Sequence, residues 1–248
     1  MDNNLLKAAE IIKKSKNMIA LTGAGISVES GIPDFRSAGG LWDRYDPAIY
    51  ASIHSFMSSP IRVWDMIFEM IEVMESAAPN SAHLALAKLE SMGLLKAIIT
   101  QNIDNLHQEA GSKKVIEYHG NAKHLVCLAC GEEYGVDEYE SGLLAKKVPV
   151  CKACGKVLKP SVVFFGENIP FNALSESQKF AEAADVVLVV GTSAVVYPVA
   201  AIPRIAKNRG AALIEFNLER TELSSFADIL IQGSAGKTLP ELIKLLEN

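Results

Sequence analysis

Five short apolar runs, each ending at a glycine or a small polar residue, constrain this chain more than any other feature. They are Met18–Leu21 ahead of Gly23-Ala24-Gly25, Ala97–Thr100 ahead of Gln101-Asn102, and Val186–Val190 ahead of Gly191-Thr192-Ser193. Ala212–Phe216 ahead of Asn217 and Ile229–Ile231 ahead of Gln232-Gly233 complete the set. A strand with one face in water alternates apolar and polar residues, whereas a strand covered on both faces does not. Between the runs, residues 5–16, 81–92 and 238–247 carry apolar side chains at helical spacing, and Pro79-Asn80-Ser81 supplies a cap for the second. The pattern predicts an α/β fold: a Rossmann-like parallel sheet with helices on both faces, binding ligands along the carboxyl rim of its strands.

Two stretches break this rhythm. Residues 37–78 read as helical and rich in Met and Phe, with Trp64 among them, and core packing is the preferred reading over a dedicated ligand groove. Residues 121–158 hold all four cysteines. We expect a Rossmann-like domain from 1–36, 79–120 and 159–248, and a smaller domain from 37–78 and 121–158. Cys127-x-x-Cys130 and Cys151-x-x-Cys154 are two knuckles that can present four thiolates to one structural zinc ion, leaving no open position for chemistry.

Composition narrows the function classes. The 248 residues are 49% hydrophobic and 21% charged, ordinary for a folded enzyme, and the net charge of −5 argues against a nucleic-acid backbone as ligand. The N-terminus lacks a secretory signal pattern and no apolar run is long enough to span a bilayer, so a cytoplasmic location without membrane contact is expected. In that compartment cysteines bind metal more often than they pair.

The candidate site follows from the strand ends. Gly23-Ala24-Gly25-Ile26 after a strand suits a phosphate-binding turn, yet position 28 is Val28 rather than the third glycine of the dehydrogenase fingerprint, and no ribose-binding acid follows about twenty residues on. A dinucleotide site of another kind is expected. Gln101, Asn102 and Asp104 follow one apolar strand, and His119 with Gly120 follows another, Val115–Tyr118. Such groups converge on one crevice, where a histidine can take a proton from a sugar hydroxyl. His54, His83 and His107 lie in helix-like segments without such partners and His124 sits beside the cysteines; all four read as structural or surface residues.

Taken together, these motifs resemble the sirtuins, the NAD-dependent protein deacetylases. The likeness runs in order through Gly23–Ser27, Gly31-Ile32-Pro33-Asp34-Phe35-Arg36, Thr100–Asp104, His119-Gly120, the two CxxC pairs, Lys159–Glu167, Gly191-Thr192-Ser193 with Tyr197-Pro198, and Asn217. The resemblance implies that Gly23, Ala24, Gly25, Ile26, Phe35, Arg36, Gly191, Thr192, Ser193, Asn217 and Ala235 bind NAD. It implies that Gln101, Asn102, Ile103 and Asp104 surround the nicotinamide and its ribose, with His119 as general base and Asn102 and Asp104 assisting. It further implies that an acetyl-lysine peptide lies along Val163, Phe165, Gly166, Glu167 and Val195. NAD is then consumed, giving free lysine, nicotinamide and O-acetyl-ADP-ribose, with structural zinc held by the cysteines. Members that favour succinyl or malonyl groups carry a Tyr-x-x-Arg pair in the helical insertion; Arg62 here has no such tyrosine, which points to an uncharged acyl group. Mono-ADP-ribosyl transfer to protein from the same NAD site is the open alternative. A monomer is expected.

Overall fold

The computed structural model describes residues 3–34 and 40–247. Nine strands are present among them: β1 (Met18–Thr22), β2 (Leu95–Thr100), β3 (Val115–Glu117), β4 (Gly120–Val126), β5 (Glu133–Gly135), β6 (Lys159–Val162), β7 (Val186–Val190), β8 (Ala212–Asn217) and β9 (Ile229–Gln232). Six form one parallel sheet in the order β3-β2-β1-β7-β8-β9. The five apolar runs are therefore its β2, β1, β7, β8 and β9. All five residues of β1 and of β7 are buried, as their lack of alternation requires.

Chain order reverses on either side of β1, which makes the gap between β1 and β7 the topological switch point of the sheet. In register, Thr22 faces Thr100 on one side and Val190 on the other, so three carboxyl ends stop at the same level.

Helices cover both faces. In chain order, α1 (Asn3–Lys14) is followed by the short α2 (Leu41–Arg44), α3 (Pro47–Tyr50) and α4 (Ile53–Ser58), then α5 (Pro60–Glu75) and α6 (Ser81–Ser91). The short α7 (Leu106–Glu109) and α8 (Glu140–Leu144) precede α9 (Phe171–Ala183), α10 (Ile202–Asn208) and α11 (Ala235–Glu247). Leu5, Ile12, Leu86, Leu89, Leu239 and Leu242 from α1, α6 and α11 pack on one side of the sheet. Ala173 and Ala181 of α9 and Ile202 and Ala206 of α10 pack on the other. Asn80 caps α6 by accepting from Ala82 N–H at 2.9 Å, and its amide reaches Ile26 O at 2.7 Å. One residue thus stabilises a helix start, by about 1 kcal/mol, and ties it to the turn after β1.

The two stretches that break the βα rhythm share a third core. Leu41, Phe56, Trp64 and Phe68 from the helical stretch pack with Leu125, Cys127, Leu143, Cys151 and Leu158 from the cysteine-bearing one. Trp64 Nε1–H donates to Leu158 O at 2.9 Å across that contact. The antiparallel sheet β5-β4-β6 belongs to this part and meets the main sheet where β3 runs on through Tyr118 and His119 into β4. Among the described residues no helix is long and apolar enough to cross a membrane.

Two histidines set aside in the sequence as structural lie fully buried at the head of β1: His83 in α6 and His107 in α7, with rings 5.0 Å apart. Thr22 O–H donates to Thr100 Oγ1, so Thr22 Oγ1 accepts from His107 Nε2–H at 2.9 Å. Burial, followed by the proximity of His83, pushes the His107 pKa down from 6.5 to about 3. The folded state thus refuses a proton that the unfolded chain takes up below pH 6.5. The stabilisation is full above that pH and is lost as pH falls toward 3, at up to about 1.4 kcal/mol per pH unit. We expect urea unfolding between pH 6.5 and 4.5 to show a shallower loss of stability in His107→Gln than in the wild type. Equal slopes would show that His107 is not buried as a neutral ring.

Candidate active site

The switch point opens into a cavity of about 860 Å³ that runs from the β8 end of the main sheet to the third core. Two turns meet closely at its base, between β1 and β7. Gly25 N–H donates to Gly191 O at 2.8 Å, and Gly191 has φ +57°. A Cβ on Gly191 would lie 2.4 Å from Ile26 N, and one on Gly25 would lie 2.8 Å from Gly191 O. Only glycines let these two turns touch.

Gly23, Ala24, Gly25 and Ile26 line the cavity from β1, and Gly191, Thr192, Ser193 and Val195 from β7. Gln101, Asn102 and Ile103 line it from β2, His119 from the β3–β4 junction, Asn217 from β8, and Ala235 from the start of α11. Val163, Phe165, Gly166 and Glu167 line it from the segment after β6. The structure thus brings nearly every residue singled out in the sequence to one wall or another. Phe35 and Arg36 lie outside the described residues. Asp104 stands one layer behind: it does not line the cavity, and its carboxylate accepts from Ser27 Oγ at 2.6 Å and from Leu106 N–H at 3.0 Å.

The polar groups are held by one another. Gln101 Nε2–H donates to Thr192 Oγ1 at 2.9 Å, and Asn217 Nδ2–H to Thr192 O at 3.0 Å, joining three strand ends. Asn102, only 8% exposed, donates from Nδ2 to Gly23 O at 3.2 Å and to Ser27 Oγ at 3.0 Å. Behind Ser27, the capping bond from Asn80 N–H to His83 Nδ1 leaves His83 Nε2 as the protonated nitrogen, 3.5 Å from Ser27 Oγ. Ser27 therefore accepts from Asn102, faces a donor on His83, and gives its own proton to Asp104.

His119 has a defined tautomer for the same reason. Its Nδ1 lies 3.0 Å from the carbonyl of Gln101, which can only accept, so Nδ1 carries the hydrogen and Nε2 the lone pair. Burial lowers its pKa below 6.5, opposed by that bond to Gln101. At neutral pH the ring is an uncharged base. Val163 N–H donates to the His119 carbonyl at 2.8 Å, which fixes the backbone of the base to the segment after β6.

Sequence reading passed over several groups here. Ser27 and His83 support Asn102 from behind. Glu219, two residues beyond Asn217, lines the rim after β8 and supplies a carboxylate there; its nearness to the end of a strand was the available signal. Ser234 lines the cavity beside Ala235, and its buried Oγ has no partner among the described residues, as a group that receives a ligand would. The glycine cradle, this hydroxyl and the rim carboxylate fit a dinucleotide laid across the switch point. The helical stretch has a double role: Trp64, Met66, Ile67, Met70, Ile71 and Met74 of α5 line the inner end of the cavity, while the first three are also core.

The four cysteine sulfurs lie within 4.8 Å of one another, with Cys127–Cys154 at 3.4 Å and Cys130–Cys151 at 3.6 Å. Four thiolates around zinc at about 2.3 Å stand about 3.8 Å apart, so this spacing fits one tetrahedral ion. The Tyr134 hydroxyl lies 3.3 Å from Cys151 Sγ, at the edge of the cluster.

A Sir2 family model matches residues 23–198. An NAD-dependent protein deacylase of Thermococcus kodakarensis is 47% identical over 246 residues, covering 97% of this chain and 95% of its own. A solved structure concerning the mechanism and regulation of Sir2 enzymes superposes with a TM-score of 0.95 at 46% identity, covering 100% of this chain and 99% of the other. A Sir2 structure with a deacetylated p53 peptide and 3′-O-acetyl-ADP-ribose does so with a TM-score of 0.91 at 39% identity, covering 96% of each chain.

Zinc analysis by mass spectrometry should give one ion per chain. Cys127→Ala, at a fully buried ligand position, should lose the ion and the cooperative unfolding of the third core with it. A metal-free Cys127→Ala chain with wild-type thermal unfolding would contradict a structural zinc site.

Proposed function

The chain belongs to the Sir2 family, and from that premise we propose that it is an NAD-dependent protein deacylase acting on acetyl-lysine. The observation that carries this reading is a neutral His119, Nε2 free, in one cavity with a glycine cradle on one side and an apolar sleeve on the other.

NAD would supply a ribose carbon bearing a cationic leaving group; with one water consumed, the acyl group would pass from lysine to ADP-ribose, and free lysine and nicotinamide would be released. The chain's own residues orient these partners. The turns at Gly23–Ile26 and Gly191–Ser193, with Asn217, Glu219, Ser234 and Ala235, hold the dinucleotide. Asn102 and Ile103 flank the ribose and nicotinamide. Asp104 serves them from behind, through Ser27 and the start of α7. His119 Nε2 accepts the proton of a ribose hydroxyl, and its Nδ1–H is stabilised by the Gln101 carbonyl as the ring becomes charged.

The peptide runs between the Val163–Glu167 segment and Val195, where extended main chain pairs with little regard to side chain. Val163 and Phe165 wrap the lysine stem. Beyond them the cavity is walled by Met70, Ile71 and Met74, so the inner end suits an aliphatic acyl group, acetyl or longer, and among the described residues this wall offers no cation to a succinyl carboxylate. That apolar end favours deacylation over the alternative, mono-ADP-ribosyl transfer. A tetrathiolate zinc site is suited to a reducing compartment, and we place the enzyme in the cytoplasm.

Incubation of an acetyl-lysine peptide with NAD should remove the acetyl mass from the peptide; addition of an ADP-ribose mass to protein instead would establish the alternative. His119→Ala should lower kcat at least 100-fold, within the range for loss of a general base, while NAD binding stays within a few-fold. Because the folded pKa of His119 is depressed, the base is active above that pKa and inactive below it. The acid limb of kcat/KM should therefore fall below pH 6.5 in the wild type. A limb at or above 6.5, or substantial turnover in the alanine variant, would overturn the assignment of the base.

A further inference from the structure

Lys159 is the one lysine or arginine buried among the described residues, at 3% exposure. It begins β6, directly before the segment that forms the peptide wall. Its ammonium donates to Pro160 O at 3.0 Å and to Val162 O at 2.6 Å, and lies 3.0 Å from Glu167 Oε2. It also sits 4.5 Å from the centre of the Phe164 ring. Glu167 Oε2 in turn accepts from Phe164 N–H at 2.8 Å. The chain from 159 to 167 is therefore curled around a single cation whose three hydrogens meet three oxygens.

The outside of the same curl carries the functional contacts. Val163 N–H holds the His119 carbonyl at 2.8 Å. Phe165 N–H donates to Ala51 O at 2.9 Å and Phe165 O accepts from Ile53 N–H at 3.0 Å, which fixes the other edge to the start of α4. Val163, Phe165 and Gly166 then face the cavity.

A buried ion is a poor stabiliser. Burial opposes its charge, and an apolar side chain of similar volume commonly stabilises as well. What an apolar residue cannot do is gather two carbonyls and a carboxylate onto one point. We propose that Lys159 is a positioning residue for acyl-lysine recognition: its ammonium sets the curl of residues 162–167 that forms the peptide wall. The inference rests on the deacylase reading above.

The test uses the zinc-loaded chain with an acetyl-lysine peptide and NAD, and three variants: Lys159→Met, Lys159→Arg and the pair Lys159→Met with Glu167→Gln. Lys159→Met should raise the peptide KM at least tenfold with kcat within about fivefold and the calorimetric Kd for NAD within threefold. Lys159→Arg keeps the charge and should return the peptide KM to within threefold of wild type. The double variant leaves no buried charge unpaired, so it reports on the wall even where Lys159→Met alone fails to fold, and it should share the raised KM. A folded Lys159→Met or double variant with a peptide KM within twofold of wild type overturns the proposal. So does loss of NAD affinity in step with the peptide, or an arginine variant no better than methionine. A wild-type chain that removes no acetyl group refutes the deacylase reading itself, before any variant is compared.

Discussion

The contact between two backbone turns, Gly25 N–H on Gly191 O, is the constraint on which the rest of the molecule depends. Parallel pairing of β1 with both β2 and β7 brings their ends to one level, but level ends alone would leave a shallow trough. Side-chain-free approach at Gly25 and Gly191 lets the turns close on each other and leaves their neighbours, Ala24 and Thr192, facing the same space. Gln101 and Asn217 then anchor on Thr192 from either side. Removing that closeness would separate the two halves of the rim.

Behind the rim the polarity is unusually deep. Thr22, Ser27, His83, Thr100, Asn102 and His107 are all buried. Each makes at least one of the bonds described above, and His107 Nδ1 has no partner among the described residues. Such networks specify one arrangement because any slip leaves a donor or acceptor unmatched at a cost of about 1–3 kcal/mol. Here the arrangement so specified is the orientation of Asn102 and, through Ser27, of Asp104. His119 is treated differently: its Nδ1 is held by the Gln101 carbonyl, so its free nitrogen is set by main chain rather than by a polar side chain.

Much of this could be read from the sequence, for identifiable reasons. The strands of the main sheet announce themselves because burial on both faces removes alternation, and β1 and β7 are fully buried. The paired CxxC knuckles are legible because metal geometry fixes spacing locally. The histidines behind β1 read as structural, but their partners were not legible. Helical spacing makes a buried histidine look like any core position, and the partners of His107 and His83 lie 85 and 56 residues away in the chain. Asp104 was expected at the nicotinamide from the resemblance to the sirtuins. The turn into α7 instead directs its carboxylate back to Leu106 N–H and Ser27. The helical stretch was read as core in preference to groove; α5 serves both, since its width lets Trp64 and Ile67 pack while Met70 and Met74 look into the cavity.

The third core unites two stretches that are far apart in the chain: α2–α5 on one side, and β4, β5, α8 and β6 with the cysteines on the other. Neither possesses an interior of its own. For anyone transplanting substrate preference between related enzymes, this makes the pair a single heritable unit. A graft of α5 alone would arrive without the Leu158 carbonyl that receives Trp64 and without the apolar floor beneath it. Divergence in the acyl end of the cavity is thereby coupled to divergence around the metal, and drift in one segment must be answered by the other.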